Sequence, residues 1–462
     1  MVIDRYEPMN LFKLVPQLQL EMDPVLAALD KLLDDDILVQ KVKADLLQRH
    51  PQSARKGRHS TPVEVILRIF AVQHLYNWSY EETEHFVNDS LVLRQFCRLY
   101  LAKAPDDTTL IRWANQIQPE TLHALLDRVV DLARTNKVTR GRKLRTDGTV
   151  VETTIHYPTD SSLLGDGVRV LSRTVRKARQ LLGEAAKGSR QLFRERIRSA
   201  KQQVKRILDA TRQRGQHADE TMRDAYEHLL ETTQAMVEQA RQVKTVLKEQ
   251  ATQAVHSVLE TLDRFIPRVE QVLEQTRRRV FEGQAVPAPE KIVSLFEPHT
   301  AIIRKGKIAN ATEFGRVVWL DEVEGGIVSR YDVLEGNPAE AQQVPRSLDH
   351  HLRVFEHPPT LLTGDRGTYS VENERYAEKL KVKQVVLPKP GAKSAARAAH
   401  EKQEWFVRGR RWRAGIEGRI SGLKRGQGLE RCRYHGDEGM ERWVGWGVIA
   451  HDLRVIARKM AA

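Results

Sequence analysis

Residues 143–151, KLRTDGTVV, follow a basic run and form the first β-rich stretch of the chain. Successive side chains of a strand point to opposite faces of a sheet, so Arg145, Asp147 and Thr149 share one face. The residues before this stretch follow a helical period instead. The change of period predicts that an all-α N-terminal domain, residues 1–135, gives way to an α/β domain, residues 136–462.

The N-terminal domain contains three helix starts that the sequence marks clearly. Thr61 and Pro62 suit a cap and a first turn, Ser79 with Glu82 three residues later forms a capping box, and Asp106 precedes a third apolar run. Short helices joined by tight turns are typical of helix-turn-helix modules that bind DNA, and also of a three-helix bundle used for dimerisation. The pattern does not decide between the two.

Between residues 168 and 285 the strand signals disappear and charged helix replaces them. Leu229, Met236 and Val243 recur at every seventh position, and Gly215 marks a break. This predicts a long helical hairpin inserted into the α/β domain. The narrow apolar stripe is typical of a coiled-coil spacer, which it favours over an element that reads DNA sequence.

Strand signals return at residues 317–320 and 327–333, and the Gly-Gly pair at 325–326 between them predicts a hairpin turn. After a helical stretch, the apolar residues 360–362 lead directly to Asp365. Ligands collect at the carboxyl ends of strands in α/β sheets. Asp365 is therefore a candidate site residue.

A third acid, Glu417, lies within residues 411–424, RWRAGIEGRISGLK. A helix advances by about 100° per residue, so Arg413, Glu417 and Lys424 share one stripe. This stripe fits a surface salt-bridge ladder as well as a functional site, although glycines within the segment weaken a helix, which stabilisation alone would not favour. Asp321 and Glu322, which directly follow an apolar strand, are the alternative acids.

The chain has 462 residues, with 75 Lys and Arg against 61 Asp and Glu, and a formal net charge of +14. This excess predicts a polyanionic partner, because neutralised phosphates release condensed counterions. Charge alone does not separate DNA from RNA or an anionic membrane. We expect no signal peptide and no membrane span, and the two distant cysteines, Cys97 and Cys432, favour neither a disulfide framework nor a zinc knuckle. A cytosolic protein is the resulting expectation.

Three blocks of the chain resemble those of bacterial insertion-sequence transposases of the ISNCY and IS-five-like groups. Arg413, Glu417 and Lys424 fit a signature in which an Arg, three residues, the catalytic Glu, six residues and a Lys recur. Residues 145–149, RTDGT, and 363–369, TGDRGTY, resemble the blocks around the first and second Asp of that family. The three blocks occur in the family's order.

The resemblance implies an RNase H-like fold, a mixed sheet flanked by helices, with Asp147, Asp365 and Glu417 as a catalytic DDE triad. Such a triad implies two bound Mg²⁺ ions, which Mn²⁺ can replace, and metal-dependent cleavage and strand transfer of double-stranded DNA at terminal inverted repeats. It also implies a homodimer assembled on DNA, because two element ends must meet, and a bacterial cytoplasmic location near the nucleoid. The side chains expected to contact DNA are Arg413, Lys424, Arg366 and Arg410, of which Arg410 stands where the family signature has Tyr.

Two other functions are compatible with the same residues. An RNase H-like nuclease or resolvase would hydrolyse nucleic acid without joining it. A catalytically silent protein would only hold DNA, and its chain would tolerate the loss of the acids. All three acids are present, which favours an enzyme.

Overall fold

The computed structural model describes residues 21–48, 52, 61–183, 190–213, 215–249, 253–304 and 312–462. The chain divides into two compact units. The sheet unit consists of Met1–Thr154 and Gly315–Ala462, and the inserted unit consists of Ile155–Phe314. The segments of the predicted N-terminal domain at residues 1–20, 49–51 and 53–60 lie outside the described residues.

The sheet unit begins with helices that lead into a long strand. Their bounds are α1 Pro24–Leu33, α2 Asp36–Gln48, α3 Val63–Tyr76, α4 Tyr80–Asp89, α5 Leu91–Phe96, α6 Asp107–Ala114, α7 Pro119–Thr135 and β1 Lys143–Thr153. The three predicted helix starts are confirmed. Pro62 precedes α3, Ser79 and Glu82 form the capping box of α4, and Asp106 caps α6 by accepting a hydrogen bond from the Thr109 backbone N–H.

Two features of α3 and α4 do not favour a helix-turn-helix that reads DNA. Every residue of α3 from Val63 to Leu75 is buried. The following helix, α4, carries four acids and no Lys or Arg in its sequence YEETEHFVND. An acidic helix repels phosphates, so the second helix of this pair is unsuited to enter a groove of DNA.

The inserted unit is a bundle with its own hydrophobic core. Its elements are α8 Asp160–Leu182, α9 Ile197–Thr211, α10 Gln216–Leu247, α11 Gln253–Val280 and the short strand β2 Ala301–Arg304. Leu229, Met236 and Val243 are fully buried, as their seven-residue spacing predicts. The break at Gly215 is also present, because this residue has a φ of +111° and α10 starts at the next position.

The inserted unit differs from the predicted hairpin at residues 168–285. It contains four long helices, and its core includes Leu163 and Leu164 at one end of the chain segment and Ile292 and Leu295 at the other. These apolar side chains pack into the bundle. The compact segment therefore starts earlier and ends later than the charged helical pattern indicated.

The second part of the sheet unit alternates strands and helices. The bounds are β3 Thr312–Val323, β4 Ile327–Leu334, α12 Gln343–Phe355, β5 Leu361–Thr363, α13 Val371–Lys379, β6 Gln384–Val386, α14 Ala395–Lys402, α15 Glu404–Gly426, β7 Arg431–Cys432 and α16 Asp437–Ala461. The predicted β3–β4 hairpin is confirmed. The turn has three residues, 324–326, and Gly325 and Gly326 both have positive φ, near +87° and +81°, which glycine adopts readily.

The strand β1 occupies the centre of a mixed sheet. It pairs antiparallel with β3 and parallel with β5, while β4 pairs antiparallel with β3 and β6 pairs parallel with β5. The strand order is β2-β3-β1-β5-β6, in which β4 also pairs with β3, and β7 pairs with the end of β1. The chain is therefore of the α/β class, with a mixed sheet and many helices.

One continuous core joins the N-terminal helices to the sheet. Trp443 and Trp446 of α16 are almost fully buried, and α16 packs against α1, α3, α7 and β4. Buried residues of α3, such as Phe70, belong to the same cluster as Leu144 of β1. The predicted boundary near residue 135 therefore does not separate two compact units.

Candidate functional site

Asp147 lies on β1, and Asp365 lies in the loop just after β5, the parallel neighbour of β1. Arg145 of β1 pairs with Thr363 of β5, and each aspartate follows two residues later along the chain. The pairing of the two strands therefore brings the two aspartates near each other. The proximity has an electrostatic effect, because the negative charge of Asp365 helps to raise the pKa of Asp147.

A tight loop holds Asp365 just after β5. The Asp365 Oδ1 atom accepts hydrogen bonds from the backbone N–H groups of Gly367 at 2.8 Å and Thr368 at 3.1 Å. The Thr368 hydroxyl donates to the Asp365 carbonyl oxygen at 2.7 Å. These contacts leave the second carboxylate oxygen, Oδ2, for other partners.

Arg413 connects the first and third predicted acids. Its Nη2 atom donates to Asp147 Oδ2 at 2.8 Å, and its Nη1 atom donates to Glu417 Oε1 at 3.2 Å, one helical turn away on α15. The Asp147 side chain is 13% exposed, whereas the Glu417 side chain is 70% exposed. Arg413 therefore faces inward to Asp147, whereas Glu417 lies at the surface and is linked to Asp147 only through Arg413.

Close packing brings α15 against the sheet. A Cβ atom at Gly415 would lie 2.4 Å from Arg145 Nη1, and one at Gly409 would lie 2.6 Å from Val386 of β6. Arg145 Nη1 also donates to the Trp412 carbonyl oxygen at 2.5 Å. Gly409 and Gly415 thus permit close packing that a larger side chain would disturb, whereas a Cβ atom at Gly418 or Gly422 of the same helix would meet nothing within 4 Å.

The alternative acids, Asp321 and Glu322, lie in the interior and not among these groups. Glu322 accepts two hydrogen bonds from Arg145, at 2.8 and 2.7 Å, and one from Arg419 at 3.1 Å. Asp321 accepts hydrogen bonds from Ser347 at 2.7 Å and Arg330 at 3.1 Å. Both acids therefore have structural ion pairs, and Glu322 anchors the arginine that supports α15.

A fourth acid, Glu340, adjoins the site, and the sequence analysis did not identify it. It lies in a 3-10 turn, Glu340–Gln342, before α12. A Cβ atom at Gly148 would lie 3.7 Å from Glu340 Oε1, and one at Gly367 would lie 2.0 Å from Glu340 Oε2. Glu340 therefore occupies the space between β1 and the loop that holds Asp365.

The crowding of carboxyl groups changes their proton affinities. Burial, opposed by the neighbouring Arg413 charge, raises the pKa of Asp147 to about 6. Burial, together with the charge of Asp365 and a hydrogen bond to it, raises the pKa of Glu340 to about 7. A hydrogen bond between two carboxyl groups requires a shared proton. Raised pKa values of this kind are typical of functional sites.

The raised pKa of Glu340 predicts a pH-dependent stability difference. A carboxyl group whose folded pKa exceeds its unfolded value contributes stability at low pH and loses it as pH rises through the folded pKa. We therefore expect the Tm of Glu340→Gln, measured in EDTA, to increase relative to wild type as pH rises from about 5 to about 8. Glu152→Gln on β1, which removes a partner of Arg431, is the control and should show no such trend. A difference independent of pH would contradict the assignment.

A cavity of about 360 Å³ opens beside Asp365. Its lining is basic apart from that acid, and the residues are Gly364, Asp365, Arg366, Pro388, Lys393, Arg410, Arg413 and Ala414. Three of the four predicted DNA contacts thus lie together. The fourth, Lys424, is on α15 seven positions after Glu417 and is not part of this lining.

The carboxylate groups of the site are suitable ligands for a metal ion, whereas their arrangement in the structure is less suitable. Carboxylate oxygens are the ligands that Mg²⁺ and Mn²⁺ prefer. Among the residues that the structure describes, however, no group of three His, Cys, Asp or Glu side chains is close enough to hold a metal. Arg413 lies between Asp147 and Glu417 instead. The chemistry of the site fits such ions, provided that they replace the Arg413 contacts.

No helix in the described part of the chain is long and apolar enough to cross a membrane.

Comparisons with known proteins give two family matches. Residues 13–116 match the family described as Transposase domain (DUF772), and residues 373–457 match the family described as Transposase DDE domain. The second match contains Arg413 and Glu417, while Asp147 and Asp365 precede it. No solved structure matches the chain.

Proposed function

We propose that this chain, which the two family matches indicate to be an insertion-sequence DDE transposase, binds the terminal inverted repeats of its element and catalyses metal-dependent cleavage and strand transfer of DNA. The observation that carries this proposal is the convergence of Asp147, Asp365 and the Arg413–Glu417 pair from three separate parts of the chain. An α/β protein has no structural need for this concentration of partly buried acids, since burying charge is costly.

The strand order supports an RNase H-like arrangement for the sheet unit. Asp147 lies on the central strand β1, Asp365 follows the adjacent parallel strand β5, and Glu417 lies on the later helix α15. This is the placement of the three acids that the family resemblance implies. We infer that the sheet unit is the catalytic unit.

We propose that Asp147, Asp365 and Glu417 hold two Mg²⁺ ions, or Mn²⁺ in their place, with Glu340 beside them. When bound, such ions lower the pKa of a nucleophilic hydroxyl and stabilise the leaving oxygen in an in-line displacement at phosphorus. Ionised carboxylates must be available for this, so Asp147 and Glu340 would lose their protons on loading. Proton release and metal binding are therefore coupled at this site.

The basic cavity would hold the DNA phosphates beside the acids. Arg366, Arg410 and Arg413 present guanidinium groups, which match phosphate oxygens in a two-pronged geometry. The Nε atom of Arg413 is buried and has no hydrogen-bond partner, so this side chain has unused donor capacity. Lys424 would contact the DNA farther along α15. Double-stranded DNA and a homodimer assembled on two element ends are the partners that this function requires.

The test is an assay of the full-length protein with the element's inverted repeats, a target plasmid and Mg²⁺, with EDTA and Mn²⁺ as comparison conditions. We expect metal-dependent products in which an element end is joined to the plasmid. Cleaved but unjoined DNA in every condition would instead identify a nuclease or resolvase. Binding without any cleavage would identify a protein that only holds DNA, and either result would overturn the proposal.

A further inference from the structure

The four long helices of the inserted unit differ sharply in charge. The helix α8 has five basic residues and two acids, and α9 has four basic residues and one acid. The helix α10, in contrast, has three basic residues and six acids. The helix α11 has five basic residues and four acids, so the net positive charge of the four helices is concentrated on α8 and α9.

The two basic helices are antiparallel neighbours. A Cβ atom at Gly165, near the start of α8, would lie 3.2 Å from Val204 in the second half of α9. Near the other end, Arg176 of α8 lies 3.7 Å from Glu195, just before α9 begins. The two helices therefore lie side by side in opposite directions, and the exposed side chains of each helix form a row next to those of the other.

Four cations on these rows are exposed and have no acidic partner in the described part of the chain: Arg173, Lys177, Lys201 and Lys205. We call these four residues the basic α8–α9 face. Three other cations of the two helices are paired with acids: Arg169 with Asp166, Arg176 with Glu195 and Arg206 with Asp224. The positive charges of the basic α8–α9 face are therefore not balanced by acids, whereas several neighbouring cations are.

Arg196, at the start of α9, provides an independent sign of uncompensated charge. Its Nε atom is buried and has no hydrogen-bond partner. Burial and the neighbouring Arg194 charge lower the pKa of the Arg196 guanidinium. Arg194 and Arg196 therefore place two like charges close together at the start of α9, while Glu195 between them pairs with Arg176.

We propose that the basic α8–α9 face binds the backbone of double-stranded DNA without reading its sequence. This inference rests on the proposed function, since it assigns a second DNA contact to the same protein. Arg173 and Lys177 are about 6 Å apart along α8 at 1.5 Å per residue, and Lys201 and Lys205 have the same spacing on α9. B-DNA presents one phosphate charge per about 1.7 Å of axis, so each pair faces several phosphates. Exposed Lys and Arg side chains suit phosphate contact, which fixes position and carries no sequence information.

The experiment measures DNA binding by the full-length protein in EDTA, so that cleavage plays no part. The test variant is Arg173→Gln/Lys177→Gln/Lys201→Gln. The matched control is Arg223→Gln/Lys248→Gln/Arg264→Gln, which removes three exposed cations from α10, its C-terminal end and α11. Fluorescence anisotropy with a labelled element end and with an unrelated duplex gives the dissociation constant as a function of salt.

We expect the test variant to bind both duplexes more weakly, and its plot of log K against log salt to become shallower by about 2 to 3, since each phosphate contact contributes about 0.9 to the slope. The control variant should keep the wild-type slope. Equal slopes in the two variants would overturn the inference. A loss of binding confined to the element end would also overturn it, since this would indicate sequence reading. Binding to polyglutamate and to phosphatidylserine vesicles is measured for the same variants. A loss confined to one of these would indicate an acidic protein or a membrane as the partner and would overturn the inference as well.

This outcome is separable from that of the proposed function. If the variants of the basic α8–α9 face bind DNA normally and the wild-type protein joins element ends to plasmid, only the present inference is wrong. If the protein binds DNA through the basic α8–α9 face but does not cleave it, only the catalytic proposal is wrong.

Discussion

Asp147→Asn is expected to lower the rate of DNA cleavage in Mg²⁺ by about a thousandfold or more. Metal ions supply several kcal/mol of charge stabilisation in such reactions, and each ~1.4 kcal/mol corresponds to a tenfold change in rate. Asparagine keeps the shape of the side chain and removes the negative charge that the ions need. Asp365→Asn should have a similar effect, because its carboxylate lies just after the adjacent strand β5 and its charge acts on Asp147.

Cleavage of the element end, followed on a denaturing gel, measures this loss. Glu152→Gln is the control, since Glu152 lies on the same strand but pairs with Arg431 at 2.6 Å and not with the acids of the site. Each variant must also bind DNA in EDTA as the wild type does. Wild-type cleavage by Asp147→Asn would remove this residue from the catalytic assignment.

Glu322→Gln is expected to cost about 3–5 kcal/mol of unfolding free energy, the range for breaking one partner of a buried ion pair. The Glu322 side chain is 1% exposed and is bonded to both Arg145 and Arg419, so the change leaves their charges without a balancing carboxylate. Arg145 also holds the Trp412 carbonyl of α15. Weaker anchoring of the Arg145 side chain should therefore loosen the packing of the helix that carries Arg413 and Glu417.

Urea denaturation of the metal-free protein measures this cost. Glu335→Gln, an exposed carboxylate just after β4, is the control and should change stability by less than about 0.5 kcal/mol. The double variant Arg145→Met/Glu322→Met should be less destabilised than the sum of its single changes, because it removes both charges together. An additive result would show that the two side chains do not act as a pair.

Local patterns predicted several elements of this fold because their causes are local. The capping box at Ser79, the turn at Gly325 and Gly326, and the strand that leads to Asp365 each depend on a few adjacent residues. The i,i+4 contact between Arg413 and Glu417 follows from helical geometry in the same way. Such features can be predicted from one sequence.

Other features depend on contacts between distant residues, which periodicity does not encode. Glu340 resembles an ordinary acid at the start of a helix, and only the fold brings it beside Gly148 and Gly367. Asp321 and Glu322 looked like alternative site acids because both follow a strand, but the arginines that pair with them lie elsewhere in the sequence. The packing of α16 against α3 likewise joins two parts of the chain that the helical pattern treated as separate.

The ends of the inserted unit meet at one place in the sheet, because Glu152 of β1 lies opposite Gly315 of β3. A short connection between these two strands would make an ordinary antiparallel hairpin. The pairing of the central strands therefore imposes no length on the segment between them, and the entropic cost of closing a longer loop grows only logarithmically. Such a junction allows a folded insertion to be gained, exchanged or lost during evolution without a change in the pairing of β1 with β3.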